Sequence, residues 1–380
     1  MGNAADLIRD INKSFGDGSA YLAKDMPPVE YVPSGSLALD FAVGKGIPRN
    51  RVVEILGAEG SGKTTLALLI AKQVLDEQPD RLVLFLDMEH KLTPDWMEQL
   101  VGEEYMPSIV VLNPDTIEQA TEMYRRAVRK GIVAMTILDS IGGAPTAQVM
   151  DEGRSAEDAE SMGGNAKGVT KFARFASNLS AKYNCLTVGI NQMRDDTKSR
   201  HGNMIQSPGG RAWKHACVLR IYLRRGKEKY FQKINGEDIL VGFDVIAQCI
   251  KNHVGVENRT AQWRFFTQDC QYAPMGVDTT EECVRLSELT GVITRTGSYY
   301  NHPAFPKDKQ GKNRVNGKSA MLEAIQGDEA LRGTIVSEVM AVLADPEADL
   351  SEIAPMGEEL TDSDDTPKGS IGLASLAAEE

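Results

Sequence analysis

One octapeptide constrains this chain more than any other feature. Gly57-Ala58-Glu59-Gly60-Ser61-Gly62-Lys63-Thr64 follows directly on the apolar run RVVEIL (51–56) and opens a run of helical character over 64–75. The spacing G-x-x-x-x-G-K-[ST] between a strand and a helix is that of a phosphate-binding loop. Its glycines let successive backbone N–H groups turn inward around phosphate oxygens, and the helix that follows adds its positive N-terminal end. In that arrangement Lys63 reaches the β and γ phosphates and Thr64 offers its hydroxyl to Mg2+. Gly57, Glu59, Gly60, Ser61, Gly62 and Thr65 complete the candidate ATP contacts. The competing reading is a purely structural glycine turn.

The rest of the chain supplies the sheet that such a loop needs. Apolar runs at 82–87, 108–113, 132–139, 185–192, 218–223 and 244–250 read as buried strands, with helical spacers at 117–130 and 169–183. Strands alternating with helices predict an α/β fold, a mostly parallel central sheet with helices on both faces. From about residue 218 the connections shorten and admit antiparallel pairing. Residues 4–15 predict a short amphipathic helix with Leu7, Ile8 and Ile11 on one side, followed by a Gly/Pro-punctuated stretch to about Ser36. A helix of twelve residues is marginal alone in water, so it is expected to pack on something else, another subunit included. After about Asp278 a small α/β unit begins, with helices at 284–293, 319–325 and 329–343 and a strand at 294–300. Two Gly-rich polar segments directly downstream of strands, 151–168 and 194–211, break the alternation, and loops of that length inside a domain are usually functional.

Composition narrows the class further. The chain has 380 residues, 42% hydrophobic and 25% charged, which excludes a fibrous or wholly disordered protein and predicts two or three domains. No apolar run approaches the roughly 20 residues of a membrane span. The first residues, MGNAADLIRDINKSFG, carry acids early and no apolar stretch, and Asp6 spoils an N-myristoylation pattern, so a cytoplasmic, membrane-free protein is expected. The five cysteines are odd in number and without a C-x-x-C pair, which argues against a disulfide framework and a zinc site. Net charge is −12, but residues 343–380 hold eleven acids against one base, Lys368, so the remainder carries only −2. That end reads as an acidic disordered tail, either a solubility device or a regulator competing with a polyanion for basic groups.

Three further residues complete a hydrolytic constellation. Asp139 closes the strand MTILD and fits the second Mg2+ acid; the alternative is a helix cap at a strand exit. Glu89 sits just past the strand LVLFLD, where a carboxylate reaches the far side of the γ-phosphate and orients the attacking water. Gln192 ends CLTVGINQ and opens the second long loop. Its amide is placed either to report ATP against ADP to that loop or to serve only as a polar strand end.

The ordered series Pro33-Ser-Gly-Ser-Leu-Ala-Leu-Asp40, Gly57–Thr65, Asp87-Met-Glu89-His90, Leu138-Asp139-Ser140, Asn191-Gln192-Met193-Arg194 and Pro208-Gly209-Gly210 resembles the bacterial RecA recombinase family, including its phage-encoded relatives. The resemblance runs from roughly residue 5 to residue 340. It implies a DNA-dependent ATPase that polymerises on single-stranded DNA into a helical filament, searches a duplex for homology and exchanges strands. It implies Glu89 as the hydrolytic glutamate, Gln192 as the γ-phosphate sensor, and 151–168 and 194–211 as the two DNA-binding loops. It places Trp96 on adenine, where an indole stacks well, against the alternative of a core tryptophan. It divides the chain into a docking helix and linker (1–35), an ATPase core (36–278), a small C-terminal α/β domain (279–343) and the tail (344–380).

Physical reasoning supports a sequence-independent DNA path on those loops. Lys167, Arg174, Arg194 and Arg211 offer cations to phosphates; Gly163, Gly164, Gly209 and Gly210 let backbone N–H groups approach the strand; Met162, with Met204 or Ile205, is placed to wedge between bases. The second loop departs from the family pattern in carrying Asp195 and Asp196 and lacking a large apolar residue early on. In the family two lysines, one residue apart, reach across the subunit interface to the neighbour's ATP. Here they match Lys251 and His253, so cross-subunit activation is expected to be weaker or pH-dependent. The competing functions are a ring-forming helicase on the same core and a DNA-binding regulator that uses ATP only as a switch. The helicase usually brings a sizeable N-terminal helical domain, whereas only about 35 residues precede this core.

Overall fold

The computed structural model describes residues 3–16, 18–143, 145–147, 164–193 and 208–344. Met162, Gly163 and Arg194, most of the two long loops and the acidic tail lie outside the described residues. The chain falls into two units, residues 1–30 and residue 31 onward.

The first unit is helix α1 (Ala4–Phe15) and a short 3-10 turn, Ala23–Asp25. Asn3 caps α1 by accepting from Ala5 N, and Gly16 at φ 100° stops it. The helix covers the predicted span and is amphipathic, yet buries none of its residues: Leu7 is 64% and Phe15 76% exposed.

The second unit begins with β1 (Tyr31–Val32), α2 (Leu37–Val43) and β2 (Ile47–Pro48). It continues with β3 (Val52–Gly57), α3 (Lys63–Glu77), β4 (Leu82–Asp87), α4 (Pro94–Val101), β5 (Ile109–Leu112), α5 (Ile117–Val128), β6 (Val133–Asp139), α6 (Gly164–Tyr183) and β7 (Leu186–Gln192). Then come α7 (Gly210–Ala216), β8 (Cys217–Ile234), β9 (Glu237–Asn252), β10 (Thr260–Phe266) and β11 (Gly276–Val277). Last are α8 (Thr279–Leu289), β12 (Thr294–Thr296), β13 (Tyr299–Asn301), β14 (Arg314–Asn316), α9 (Lys318–Gly327) and α10 (Glu329–Ala344).

The central sheet has the order β11-β10-β9-β8-β3-β7-β6-β4-β5. From β8 to β5 every pair is parallel, and from β8 outward to β11 every pair is antiparallel. Successive side chains of a strand point to opposite faces, and a parallel sheet covered on both sides must be apolar at both. Accordingly Val53, Ile55, Val83 and Phe85 join a cluster with α3, while Val52, Leu84 and Leu86 join a second cluster with Tyr124, Phe172 and Trp213 from α5, α6 and α7.

Two differences from the sequence reading have physical causes. The strands expected at 218–223 and 244–250 are the inner halves of a hairpin running to residue 234 on one side and from 237 on the other. Its outer half is largely solvent-facing, so it shows no continuous apolar run. Its turn is Asn235-Gly236, both left-handed at φ 53° and 88°, the pair that a two-residue hairpin with this twist requires. The single strand expected at 294–300 is instead the hairpin β12–β13, folded at Gly297, and the preceding helix starts at Thr279 because Asp278 caps it by accepting from Glu281 N at 3.0 Å.

Residues 279–344 share the first face's apolar core, through Cys283, Leu286, Tyr300, Phe305 and Ile335. They also cap α2: fully buried Glu282 accepts from Ser36 Oγ (2.5 Å), Leu37 N (3.1 Å) and Ala38 N (3.3 Å). Among the described residues no helix is long and apolar enough to cross a membrane.

Candidate functional site

The first parallel strand delivers the glycine loop to the carboxyl end of the sheet. A Cβ on Gly57 would lie 2.3 Å from Leu223 O and 2.6 Å from Ser61 Oγ, so a side chain there would push β8 off β3. Gly62, at φ 92°, is the residue before α3 and supplies no side-chain cap, which leaves the helix's first N–H groups facing the loop. Lys63 Nζ donates to Ala58 O at 2.7 Å, curled back over the loop. Burial lowers its pKa, opposed by the negative charges of Asp139, Glu89 and Glu59.

Strand register brings the other candidates to the same edge: Asp87 pairs with Asp139, and Gly57 with Gln192. Ligands of open α/β sheets bind at these carboxyl ends. Thr64 Oγ1 donates to Asp139 Oδ2 at 2.7 Å. Burial pushes the Asp139 carboxyl up to about 6, against the hydrogen bond from Thr64, so it is a carboxylate short of positive charge. Glu89 is held by Gln192 Nε2, which donates to its Oε1 at 2.9 Å, and by Lys91 Nζ, 3.0 Å from its Oε2. Burial raises the Glu89 carboxyl, but hydrogen bonds from Ser140, Lys91 and Gln192 and the Lys91 charge outweigh it and hold the group below its ordinary value.

Asp87 is the scaffold of this turn. Its Oδ1 accepts from Glu89 N (3.2 Å) and His90 N (2.7 Å) and its Oδ2 from Leu92 N (3.4 Å), while His90 takes a left-handed φ of 52°. That reversal, uncommon outside glycine, throws Glu89 and Lys91 over the loop.

The cleft has two adjoining chambers, each of about 240 Å³. The inner one is lined by Lys63, Thr64, Glu89, Lys91, Asp139 and Gln192, the chemistry of a triphosphate site. The outer one shares the glycine loop and Lys63 and Thr64 with it and adds Arg225, Phe243, Phe265 and Thr267, an aromatic side that suits a flat base. Trp96, half-buried, lines both, so it is neither fully core nor free surface. Arg225 Nε donates to Gly60 O at 2.8 Å and its guanidinium lies 4.1 Å from the Phe243 ring, closing the outer wall. Thr64 and Asp139 are hard oxygen donors, which suits Mg2+, an ion that keeps several waters and takes only one or two protein ligands. Among the described residues no group of three or more His, Cys, Asp or Glu is placed to hold a metal.

Of the predicted residues, Gly60, Gly62, Lys63, Thr64, Thr65, Glu89, Trp96, Asp139 and Gln192 meet at this cleft, with Glu59 at its exposed rim. Ser61 Oγ is buried inside the loop. Lys167, Arg174 and Arg211 are exposed on α6 and α7, whose first turns adjoin: a Cβ on Gly210 would lie 4.0 Å from Ala166 Cβ. Gly164 opens α6, and Gly209 and Gly210 open α7. Lys251 lies elsewhere, its Nζ donating to Lys214 O (2.8 Å) and Cys217 O (2.5 Å), and His253 is exposed at the end of β9. Sequence reasoning missed Asp87, Lys91 and the Arg225 wall. The first two lie within five residues of Glu89, where a polar strand exit was the available signal, and Arg225 follows an expected strand end.

Comparison with known proteins agrees with this geometry. Residues 3–269 match the RecA N-terminal domain. Protein RecA of Thermus thermophilus is 31% identical over 335 residues, 87% of this chain and 92% of the relative. Protein RecA of Bacillus subtilis is 32% identical over 320 residues, 83% of this chain and 86% of the relative. Protein RecA of Thermus aquaticus is 32% identical over 301 residues, 78% and 83%. With the phosphate loop, the carboxylates and the likeness spanning most of both chains, the protein belongs to the bacterial RecA recombinase family.

Proposed function

We propose that the protein binds ATP with Mg2+ in the cleft at the ends of β3, β4, β6 and β7, hydrolyses it when bound to DNA, and as a helical filament on single-stranded DNA pairs a homologous duplex and exchanges strands. Thr64 and Asp139 would hold the Mg2+, which offsets charge on the β and γ phosphates. The glycine loop and Lys63 bind the phosphates, and Trp96 with the Arg225–Phe243 wall receives the base. Glu89 orients a water on the γ-phosphorus and accepts its proton. The new bond joins the water oxygen to that phosphorus, and the bond from it to the β–γ bridging oxygen breaks, leaving ADP and phosphate.

The observation that carries the reading is the 2.9 Å bond from Gln192 to Glu89. Gln192 ends β7, and the chain continues from it into the segment 194–207, so the group that responds to the γ-phosphate is covalently next to the candidate DNA loop. Lys167, Arg174 and Arg211, with the backbone at Gly164, Gly209 and Gly210, would face DNA phosphates, and such contacts read no sequence. The uncovered apolar face of α1 would dock on the next subunit in the filament.

Negative-stain electron microscopy with single-stranded DNA and a slowly hydrolysed ATP analogue tests the reading. Continuous helical filaments along the DNA are expected; closed rings or dispersed particles would overturn it.

A further inference from the structure

We propose that Lys91 is a second catalytic cation of the phosphate chamber, supplied by the same chain as Lys63 and acting on the γ-phosphoryl oxygens during hydrolysis. The proposal rests on the ATPase reading above.

Lys91 is placed for this by its backbone. Asp87 holds the turn Glu89–Leu92 through three backbone N–H groups, and the left-handed His90 sets the side chains on either side of it over the chamber. The ammonium then sits 3.0 Å from Glu89 Oε2 and 4.0 Å from Glu59 Oε1, bridging the strand side of the cleft and the rim of the glycine loop. Among the described residues, Lys63 and Lys91 are the cations lining the inner chamber, which also has Glu59, Asp87, Glu89 and Asp139 on its walls. Lys63 is buried and turned toward the loop carbonyl of Ala58, while Lys91 approaches from the β4 side.

Chemistry gives this placement its meaning. A triphosphate entering an acid-lined chamber adds further negative charge, and phosphoryl transfer spreads charge over the three equatorial oxygens. An ammonium has three donors on a flexible stem, so it bridges Glu89 and those oxygens at once. It thereby aligns the carboxylate that accepts the water proton with the phosphorus that the water oxygen attacks. The Lys91–Glu89 pair is one half of that bridge. Lys91 is 66% exposed, and an exposed pair with Glu89 contributes little to stability, so a catalytic cation and a mere surface pair differ in the kinetics they predict.

Steady-state ATPase kinetics of the full chain with single-stranded DNA, run on the parent, Lys91→Ala, Lys91→Arg and Glu89→Gln, separate the two. For Lys91→Ala we expect kcat to fall on the order of 100-fold, the size of losing one donor to a developing anion, with KM within about 3-fold. Lys91→Arg is expected to recover most of kcat, and the melting temperature of both variants to match the parent. A Lys91→Ala kcat within about 2-fold of the parent, or raised above it, would overturn the proposal while Glu89→Gln still reports the ATPase. A raised KM at unchanged kcat would also overturn it, since Lys91 would then serve binding alone. A parent without DNA-stimulated hydrolysis would remove the ATPase reading together with this one.

Discussion

Gln192 Nε2 donates to Glu89 Oε1 at 2.9 Å, so the last residue of β7 and the carboxylate beyond β4 form one hydrogen-bonded unit although β6 lies between their strands. On the proposed reading, a γ-phosphate entering the chamber would recruit the same amide. Its NH2 group has two N–H donors, so it would either bridge Glu89 and the phosphate or shift from one to the other, and either response would let Gln192 act as a sensor.

Removing each partner therefore has different consequences. Glu89→Ala is expected to lose ATP hydrolysis, about 100-fold or more in kcat, while ATP-dependent DNA binding persists. Gln192→Ala is expected to bind nucleotide within about 3-fold of the parent, yet to bind single-stranded DNA equally with the ATP analogue and with ADP, because the differential contact is gone. Fluorescence anisotropy of labelled DNA under both nucleotides checks this pair. Loss of ATP-dependent binding in Glu89→Ala would assign Glu89 a structural role instead.

The Thr64–Asp139 pair predicts how Mg2+ acts on stability. A ligand at about 100 times its Kd raises folding stability by about 2.7 kcal/mol, so nucleotide with Mg2+ is expected to raise the melting temperature more than nucleotide alone. Asp139→Asn should erase the Mg2+ increment and keep the nucleotide one. Because burial pushes the Asp139 carboxyl up to about 6, protons compete with the ion there, and Mg2+ affinity should weaken as pH falls through that value. Calorimetric titration of the nucleotide-loaded protein at pH 5.5 and 7.5 measures both effects.

How much of this was legible in the sequence depends on which force fixes each feature. The glycine loop, Asp139, Glu89 and Gln192 were readable because strand ends of a parallel sheet converge, so chemistry at the ends of separate apolar runs must meet. Asp87 was not, since its role is to accept backbone N–H groups and only a folded turn reveals that. Arg225 and Phe243 were missed because they sit on a hairpin whose outer half faces solvent and hides its strand period. The engagement of Lys251 by the end of α7 was also invisible, as it pairs a side chain with carbonyls 34 to 37 residues away.

Glu282 carries a pH prediction. Burial pushes its carboxyl up to about 8, and that of Asp40, in the helix it caps, up to about 7. Between the ordinary carboxylate range and these values the folded state holds more protons than the unfolded state, so stability must fall as pH rises across that window. Glu282→Gln removes the titration: with its amide oxygen in the Oε1 position it still accepts from Ser36 Oγ and Ala38 N, and only Leu37 N loses this acceptor. It should flatten the decline between pH 5.5 and 8.5. Glu282→Ala, which strands those donors, should cost about 2–4 kcal/mol at pH 5.5 and less toward pH 8.5, where the buried carboxylate of the parent is itself unfavourable. Denaturant midpoints across that range decide it, and a parent that grows more stable toward pH 8.5 would contradict the assignment.

The last prediction concerns Glu54, fully buried in β3 beneath the glycine loop. It accepts from Asn191 Nδ2 at 2.8 Å, from Trp213 Nε1 at 2.9 Å and from Arg220 Nε, and Asn191 Nδ2 also donates to Pro208 O at 2.9 Å. One carboxylate thus joins the strand that carries the phosphate loop, the residue before Gln192, the helix that carries Arg211, and β8. Removing it leaves the guanidinium of Arg220 buried without this partner, so Glu54→Ala should cost about 3–5 kcal/mol. Arg220→Met leaves the carboxylate without its cation, with Asn191 and Trp213 still donating to it, and a Glu54→Leu/Arg220→Met double variant should lose less than the sum of its single changes. A double-mutant cycle by chemical denaturation measures that coupling, and additive losses would mean that the two charges are stabilised separately. In the double variant Trp213 and Asn191 keep their packing but lose their common acceptor. DNA binding should therefore lose part of its dependence on ATP even where folding is restored, and anisotropy under ATP analogue and ADP separates that loss from the change in stability.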